Sequence, residues 1–235
     1  MKRQLLLFME DVMIKENVAN IRNALEEAAI KAGRDPSEIT LCAATKMNDA
    51  QRVQEAIAAG VDCCGENRVQ ELTEKAARNA YEGAPVHFIG HLQTNKVRQV
   101  VGKVDLIQSV DSMRLLETIN KEALKQGICQ DILLEINVAG EESKTGFTPI
   151  ELPQILCAVQ AMAGVCVKGL MAIPPVSQMP GDNIPWFTKM RQLFDGIPDA
   201  TVLSMGMSDD FADAIACGST MIRVGTAIFG RRNYN

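Results

Sequence analysis

The stretch "ITLCAATKMN", residues 39–48, opens on apolar and β-favouring side chains and then reaches a lysine. Ile39–Thr45 reads as a buried strand, and Lys46 falls where that strand should end. An amine in that place is either solvated or used for chemistry. The rest of the chain decides between the two by repeating the pattern.

Further β-like runs lie at Val61–Gly65, Val86–Gly90, Val104–Ser109, Asp131–Val138, Val165–Ala172, Thr201–Ser204 and Met221–Val224. Their starts are roughly 20 to 35 residues apart, enough for a strand, a helix and two loops. Helical periodicity fills the intervals. "DAQRVQEAIAAG" sets Val53, Ala56 and Ile57 on one face and stops at Gly60. "DSMRLLETINKEALKQG" starts at Asp111 or Ser112 and stops at Gly127, and "SDDFADAIACG" starts at Ser208 or Asp209 and stops at Gly218. The strands are short and apolar on both faces, as parallel strands under helices must be.

Eight such units in a chain of this length predict an α/β fold, a single (β/α)8 barrel domain spanning 1–235. A long amphipathic helix, about Met9–Gly33, precedes the first strand and is expected to cover the barrel seam. The rival, an open doubly wound sheet, lacks its usual GxGxxG marker. The net charge of −5 argues against nucleic acid as a partner. In "MKRQLLLFMEDV" the apolar patch Leu5–Met9 is broken by Glu10 and Asp11, too short for a secretory segment, and no membrane-spanning run follows. The seven cysteines show no framework spacing. They read as reduced core residues, Cys42, Cys129 and Cys166 among them, in a cytoplasmic protein.

In this barrel, function sits at the carboxyl ends of the strands. Lys46 follows strand one, "GENR" (65–68) follows strand two, "GHLQTNK" (90–96) strand three and "GEESKTG" (140–146) strand five. Strand seven leads into "MGMS", with Gly206 allowing close backbone approach and Ser208 expected to cap a helix. Strand eight gives Arg223, Gly225 and Thr226. Helix N-termini with such donors bind phosphate, and strands seven and eight are where this fold places it. The plainer alternative is ordinary capping and a turn glycine. Arg223, inside the apolar run "MIRVG", must be paired or used. A structural ion pair with a carboxylate is its alternative. The alternative for Lys46 is a solvated loop lysine; a desolvated one near Arg223 would be a nucleophilic amine suited to a Schiff base. No metal site is expected: the only histidines are His87 and His91, and no HExxH or paired CxxC occurs.

Lysine, phosphate cap and arginine together point to pyridoxal 5′-phosphate (PLP). With "AATK" (43–46), "GENRVQE" (65–71), "HFIGHLQTNK" (87–96), "ESKTGF" (142–147), "GLMAI" (169–173), "SMGMSDD" (204–210) and "IRVGTAIFG" (222–230), the sequence resembles the PLP homeostasis protein family over nearly its whole length. These are small PLP-binding proteins with a fold similar to the barrel domain of alanine racemase. The resemblance implies that Lys46 holds PLP as a Schiff base. It also implies that Ser208, Gly225 and Thr226 hold the phosphate, that Arg223 faces the pyridine nitrogen, and that Asn67 lies beside the ring. His91 and Lys144 fall in matching blocks without a defined role.

An arginine only donates hydrogen bonds, so the pyridine nitrogen opposite it stays unprotonated and the cofactor is a weaker electron sink. A racemase of this type also needs a tyrosine from a second domain, for which the chain has no room beyond strand eight. Tyr81 and Tyr234 sit at no strand end. The expectation is therefore a monomeric carrier, without catalysis or nearly so. It would serve vitamin B6 and amino-acid homeostasis, and could meet amino acids and PLP-requiring apo-enzymes transiently. A PLP-dependent amino-acid racemase is the alternative. A phosphosugar enzyme with Lys46 as Schiff-base lysine is a third reading, which explains Arg223 poorly.

Overall fold

The computed structural model describes residues 2–230, with side chains from Met13 onward. The elements, in chain order, are α1 (Lys2–Lys31), β1 (Thr40–Ala44), α2 (Ala50–Ala58), β2 (Cys63–Glu66), α3 (Val69–Ala76), β3 (Val86–Phe88), β4 (Leu106–Val110), α4 (Met113–Gln126), β5 (Gln130–Glu135), α5 (Leu152–Val159), β6 (Val165–Met171), α6 (Ile184–Asp195), β7 (Val202–Ser204), α7 (Phe211–Ala216), β8 (Met221–Val224) and α8 (Thr226–Phe229). Each strand pairs in parallel with the next, and β1 pairs with β8, so the sheet closes into the predicted barrel.

The sequence signals act where expected. Asp49 accepts from Arg52 N at 2.9 Å and starts α2. Ser112 rather than Asp111 caps α4, accepting from Leu115 N. Gly127 ends α4 with φ +68°, a left-handed conformation that glycine adopts without strain. One interval departs from the pattern: β3 is linked to β4 through a 3-10 stretch, Thr94–Gln99, instead of an α-helix.

α1 starts earlier than the periodicity predicts and covers the seam. Ile14, Val18, Ile21, Leu25 and Ala29 recur every three or four residues and pack against Leu41, Phe211, Ile215, Ile222 and Ile228. Each large side chain in that stripe contributes about 1.5–3 kcal/mol of burial. The side chains of "MKRQLLLFMEDV" lie outside the described ones. Among the described residues no helix is long and apolar enough to cross a membrane.

The barrel has two cores. The outer one lies between strands and helices and includes Phe88, Ile107, Leu134 and Leu203. The inner one holds Cys42, Cys63, Leu106, Leu133, Met171 and Met221. The cysteines divide accordingly. Cys42, Cys63 and Cys64 are buried, whereas Cys129 and Cys157 are exposed and Cys166 is half-buried, so the expectation of core cysteines fails for Cys129. Cys129 stands in the loop before β5, outside any core.

Candidate functional site

Lys46 leaves the end of β1 half-buried, and its backbone is gripped from several sides. Thr45 donates its hydroxyl to Glu66 Oε1 at 2.5 Å, and its carbonyl accepts from Lys75 Nζ at 2.8 Å. Lys75 also donates to Glu66 Oε1 at 2.7 Å, and Tyr81 donates its hydroxyl to the same oxygen at 3.0 Å. Glu66 is fully buried, so this is an ion pair inside the protein rather than on its surface. Burial, followed by the Glu66 charge, pushes the Tyr81 phenol far up. On the other side of Lys46, Met47 takes a left-handed φ of 62°. Its N–H donates to Glu71 Oε2 at 2.6 Å, while Asn48 donates to the Lys46 carbonyl at 3.1 Å. A bulky residue in that conformation is strained by about 1–3 kcal/mol and persists only where its surroundings hold it.

Arg223 lies on β8 beside Cys42 of β1, four residues before Lys46 on that strand. It is buried, donating from Nη1 to Ser204 Oγ at 2.6 Å and from Nη2 to the Ala172 carbonyl at 2.9 Å. No carboxylate pairs with it among the described residues, so the structural ion pair offered by the sequence is not found. Burial lowers its pKa, and the more distant charges of Cys42, Glu135 and Asp210 oppose that. Glu135 is shifted the other way: burial, then Asp111, raises its pKa.

The loop after β7 corrects one expectation. Ser208 does not cap α7; the N-cap is Asp210 and the helix begins at Phe211. The Asp210 carboxylate accepts from Met207 N at 2.7 Å and from Asn183 Nδ2 at 2.8 Å. That fixes a turn over residues 207–210 and delays the helix. Ser208 is thus a half-buried turn residue. Gly206 has φ +93°, and a Cβ there would come within 2.6 Å of Ala214 Cβ, so glycine is required for the loop to pack on α7. Gly225 is the N-cap of α8, and Thr226 is its first residue. The first turn of any helix leaves N–H groups without intrahelical acceptors.

Asn67 follows β2, with its Oδ1 buried and without a hydrogen-bond partner among the described residues. A Cβ on Gly90 would lie 2.2 Å from the Asn67 carbonyl, so the loop after β3 can approach this residue only as glycine. Asn67 also borders an open cleft of about 690 Å³ lined by His91, Gln93 and Lys96. That cleft does not reach Lys46 or Arg223. His91 is largely exposed, with Nδ1 2.9 Å from Asp111 Oδ2, which fixes its Nδ1–H tautomer. Lys144 is structural: it pairs with Glu141 and donates to the Pro174 carbonyl at 2.9 Å, joining the loops after β5 and β6.

The fold thus gathers Lys46, Asn67, Gly206, Ser208, Arg223, Gly225 and Thr226 on strand-end loops or in the strands beneath them. Sequence reasoning missed the supports Ser204 under Arg223 and Glu71 and Lys75 around Lys46; Glu66 stood in the strand-end block "GENR" without an assigned role.

The family model for the N-terminal domain of alanine racemase matches residues 14–233. The chain is 40% identical over 224 residues to the pyridoxal phosphate homeostasis protein of Aquifex aeolicus (strain VF5), covering 93% of this chain and 98% of the relative. It is 40% identical over 233 residues to the protein of that name from Escherichia coli (strain K12), covering 94% and 98%. Among solved structures, PipY of Synechococcus elongatus PCC7942 with PLP bound is 33% identical with a TM-score of 0.77, covering 92% of this chain and 100% of that one. Alanine racemase of Clostridium difficile 630, 14% identical with a TM-score of 0.67, covers 94% of this chain and 58% of that one and shares the fold. The chain belongs to the pyridoxal phosphate homeostasis protein family, built on the barrel that this family shares with alanine racemase.

Proposed function

We propose that this protein binds PLP through Lys46 and acts as a cytoplasmic, monomeric carrier in vitamin B6 and amino-acid homeostasis. The observation that carries the reading is Arg223: buried, without a carboxylate partner among the described residues, and on the strand beside β1, whose following loop carries Lys46. The orphaned Asn67 Oδ1 supports it, because a buried acceptor without a donor fits a ligand that supplies one. The relatives' names, and PLP in PipY, point the same way.

PLP supplies an aldehyde that condenses with primary amines and a ring that withdraws electrons. Lys46 provides the amine, held in place by the hydrogen bonds on either side of it. Arg223 can only donate, so it favours an unprotonated acceptor opposite it. Ser204 and the Ala172 carbonyl fix the guanidinium in that orientation. Ser208, Thr226 and the backbone of Gly225 and Gly206 form the anion site, where close approach and unpaired N–H groups suit a phosphate. Ser208→Ala is expected to weaken PLP binding by about 1–3 kcal/mol, as a phosphate oxygen loses its donor. Pyridoxal, which lacks the phosphate, should bind poorly and be indifferent to the change. Equal losses for both ligands in equilibrium titrations would remove Ser208 from the phosphate site.

A racemase needs a proton donor on each face of the reacting carbon. Tyr81 is committed to Glu66 deep in the protein, and Tyr234 lies outside the described residues. His91, oriented by Asp111, is the remaining strand-end base. Incubation with L-alanine in deuterated water should give neither α-deuterium nor D-alanine at an enzymatic rate. Turnover at roughly 1 per second or faster, lost in His91→Ala, would establish the racemase instead.

A further inference from the structure

We propose that Cys42, Cys63 and His87 form a binding site for one thiophilic cation of the zinc class inside the barrel. The three come from β1, β2 and β3 and face the inner core. Cys42 stands in register with Cys63, and Gly65, two residues on, stands in register with His87. Their ligand atoms all lie within 4.8 Å of one another. Cys63 Sγ is 3.5 Å from His87 Nδ1. With zinc–sulfur bonds of about 2.3 Å and zinc–nitrogen bonds of about 2.0–2.1 Å, a tetrahedral site has sulfur–nitrogen edges of about 3.5 Å. The sulfur–nitrogen spacing already matches that edge.

The surroundings suit it as well. A Cβ on Gly65 would lie 3.0 Å from Cys42 Sγ, so glycine leaves space beside that sulfur. The Gln108 amide nitrogen, 2.9 Å from His87 Nδ1, can only donate, so Nδ1 is the accepting nitrogen of a neutral imidazole, and an ion reaches it by displacing this N–H. When an ion takes that lone pair, the amide keeps a second contact, Met221 Sδ at 3.1 Å. The other end of Gln108 accepts from Ser204 at 2.7 Å, and Ser204 accepts from Arg223, so the site is anchored from behind. Binding is a proton exchange without redox change: the divalent ion enters, two sulfur–metal bonds form, and both thiols lose their protons to solvent. Two thiolates and a neutral imidazole leave a zinc-type ion formally neutral, which an enclosed site tolerates far better than a bare charge.

No local motif marks this site, because its ligands lie on β1, β2 and β3 and are separated by whole β/α units. The inference is independent of PLP binding.

The test uses the reduced full-length chain under nitrogen, titrated with Co²⁺ both as folded and after refolding from denaturant, since the site is enclosed. One equivalent should bind with a near-ultraviolet thiolate-to-cobalt charge-transfer band. Cys42→Ser and Cys63→Ser should each lower the affinity by roughly 100-fold or more, given that even outer-shell partners are worth 10–100-fold. Cys166→Ser, in β6 outside this cluster, should leave it unchanged. X-ray absorption of the zinc-loaded wild type, which needs no variant to fold, should show two sulfurs at about 2.3 Å. A reduced wild type that takes up no ion by either route overturns the proposal. So does a coordination shell without sulfur, or binding that both cysteine variants retain.

Discussion

Glu66→Ala is expected to lower the unfolding free energy by about 3–5 kcal/mol, the usual cost of removing one partner from a buried ion pair. Against a total of about 5–15 kcal/mol for a typical domain, that is a large fraction. The loss leaves the Lys75 ammonium with the Thr45 carbonyl and the more distant Glu71 carboxylate, 3.3 Å away, and it strips the Tyr81 hydroxyl of its acceptor. Glu66 Oε2 itself has no partner among the described residues, so the native pair is not fully compensated. The double variant Glu66→Leu with Lys75→Met, which removes both charges and keeps the volume, should therefore recover most of the stability. Urea unfolding of the three proteins measures this. A cost below about 1 kcal/mol for Glu66→Ala would show that Lys75 finds solvent or another partner when Glu66 is gone. Because the same network ties down Thr45, PLP capture by Lys46 should weaken in Glu66→Ala even under conditions where the protein stays folded.

The barrel was legible because each strand is a short apolar run closed by turn residues, and the intervals are long enough for helices. Met221–Val224 matches β8 end to end, while Asp131–Val138 overran β5, whose last residue is Glu135. The overrun has a cause: Ile136 and Val138 are apolar and buried, but they belong to the loop that pairs back with Phe147. The strand-end positions of Lys46, Gly206 and Gly225 and the burial of Arg223 could be read from the sequence, since each follows from where a short apolar run lies or stops; their part in a PLP site is the proposal. Ser208 could not be placed correctly. Ser208, Asp209 and Asp210 are all good cap residues, and only the Asn183 amide and the Met207 N–H, both of which bind the Asp210 carboxylate, select the last. Lys75 was invisible for a different reason. "ELTEKAARN" reads as a solvated helix surface, and the lysine is buried only because α3 turns that face towards Glu66 and Thr45.

The largest functional effect is expected from Lys46→Ala. The variant should fold, because the hydrogen bonds of the Thr45 carbonyl and hydroxyl and of the Met47 N–H do not involve the lysine side chain that is removed. It should retain the phosphate and ring contacts but lose every covalent hold on PLP. Purified wild type should be yellow and remain so on dialysis, while Lys46→Ala should release its PLP. The nearest rivals for the role are Lys96, exposed on the 3-10 stretch, and Lys144, tied between Glu141 and the Pro174 carbonyl. The decisive measurement is borohydride reduction of the PLP-loaded wild type followed by peptide mass mapping. The pyridoxyl group is predicted on Lys46, at one per chain, and a label confined to Lys96, Lys144 or any other lysine would contradict the account.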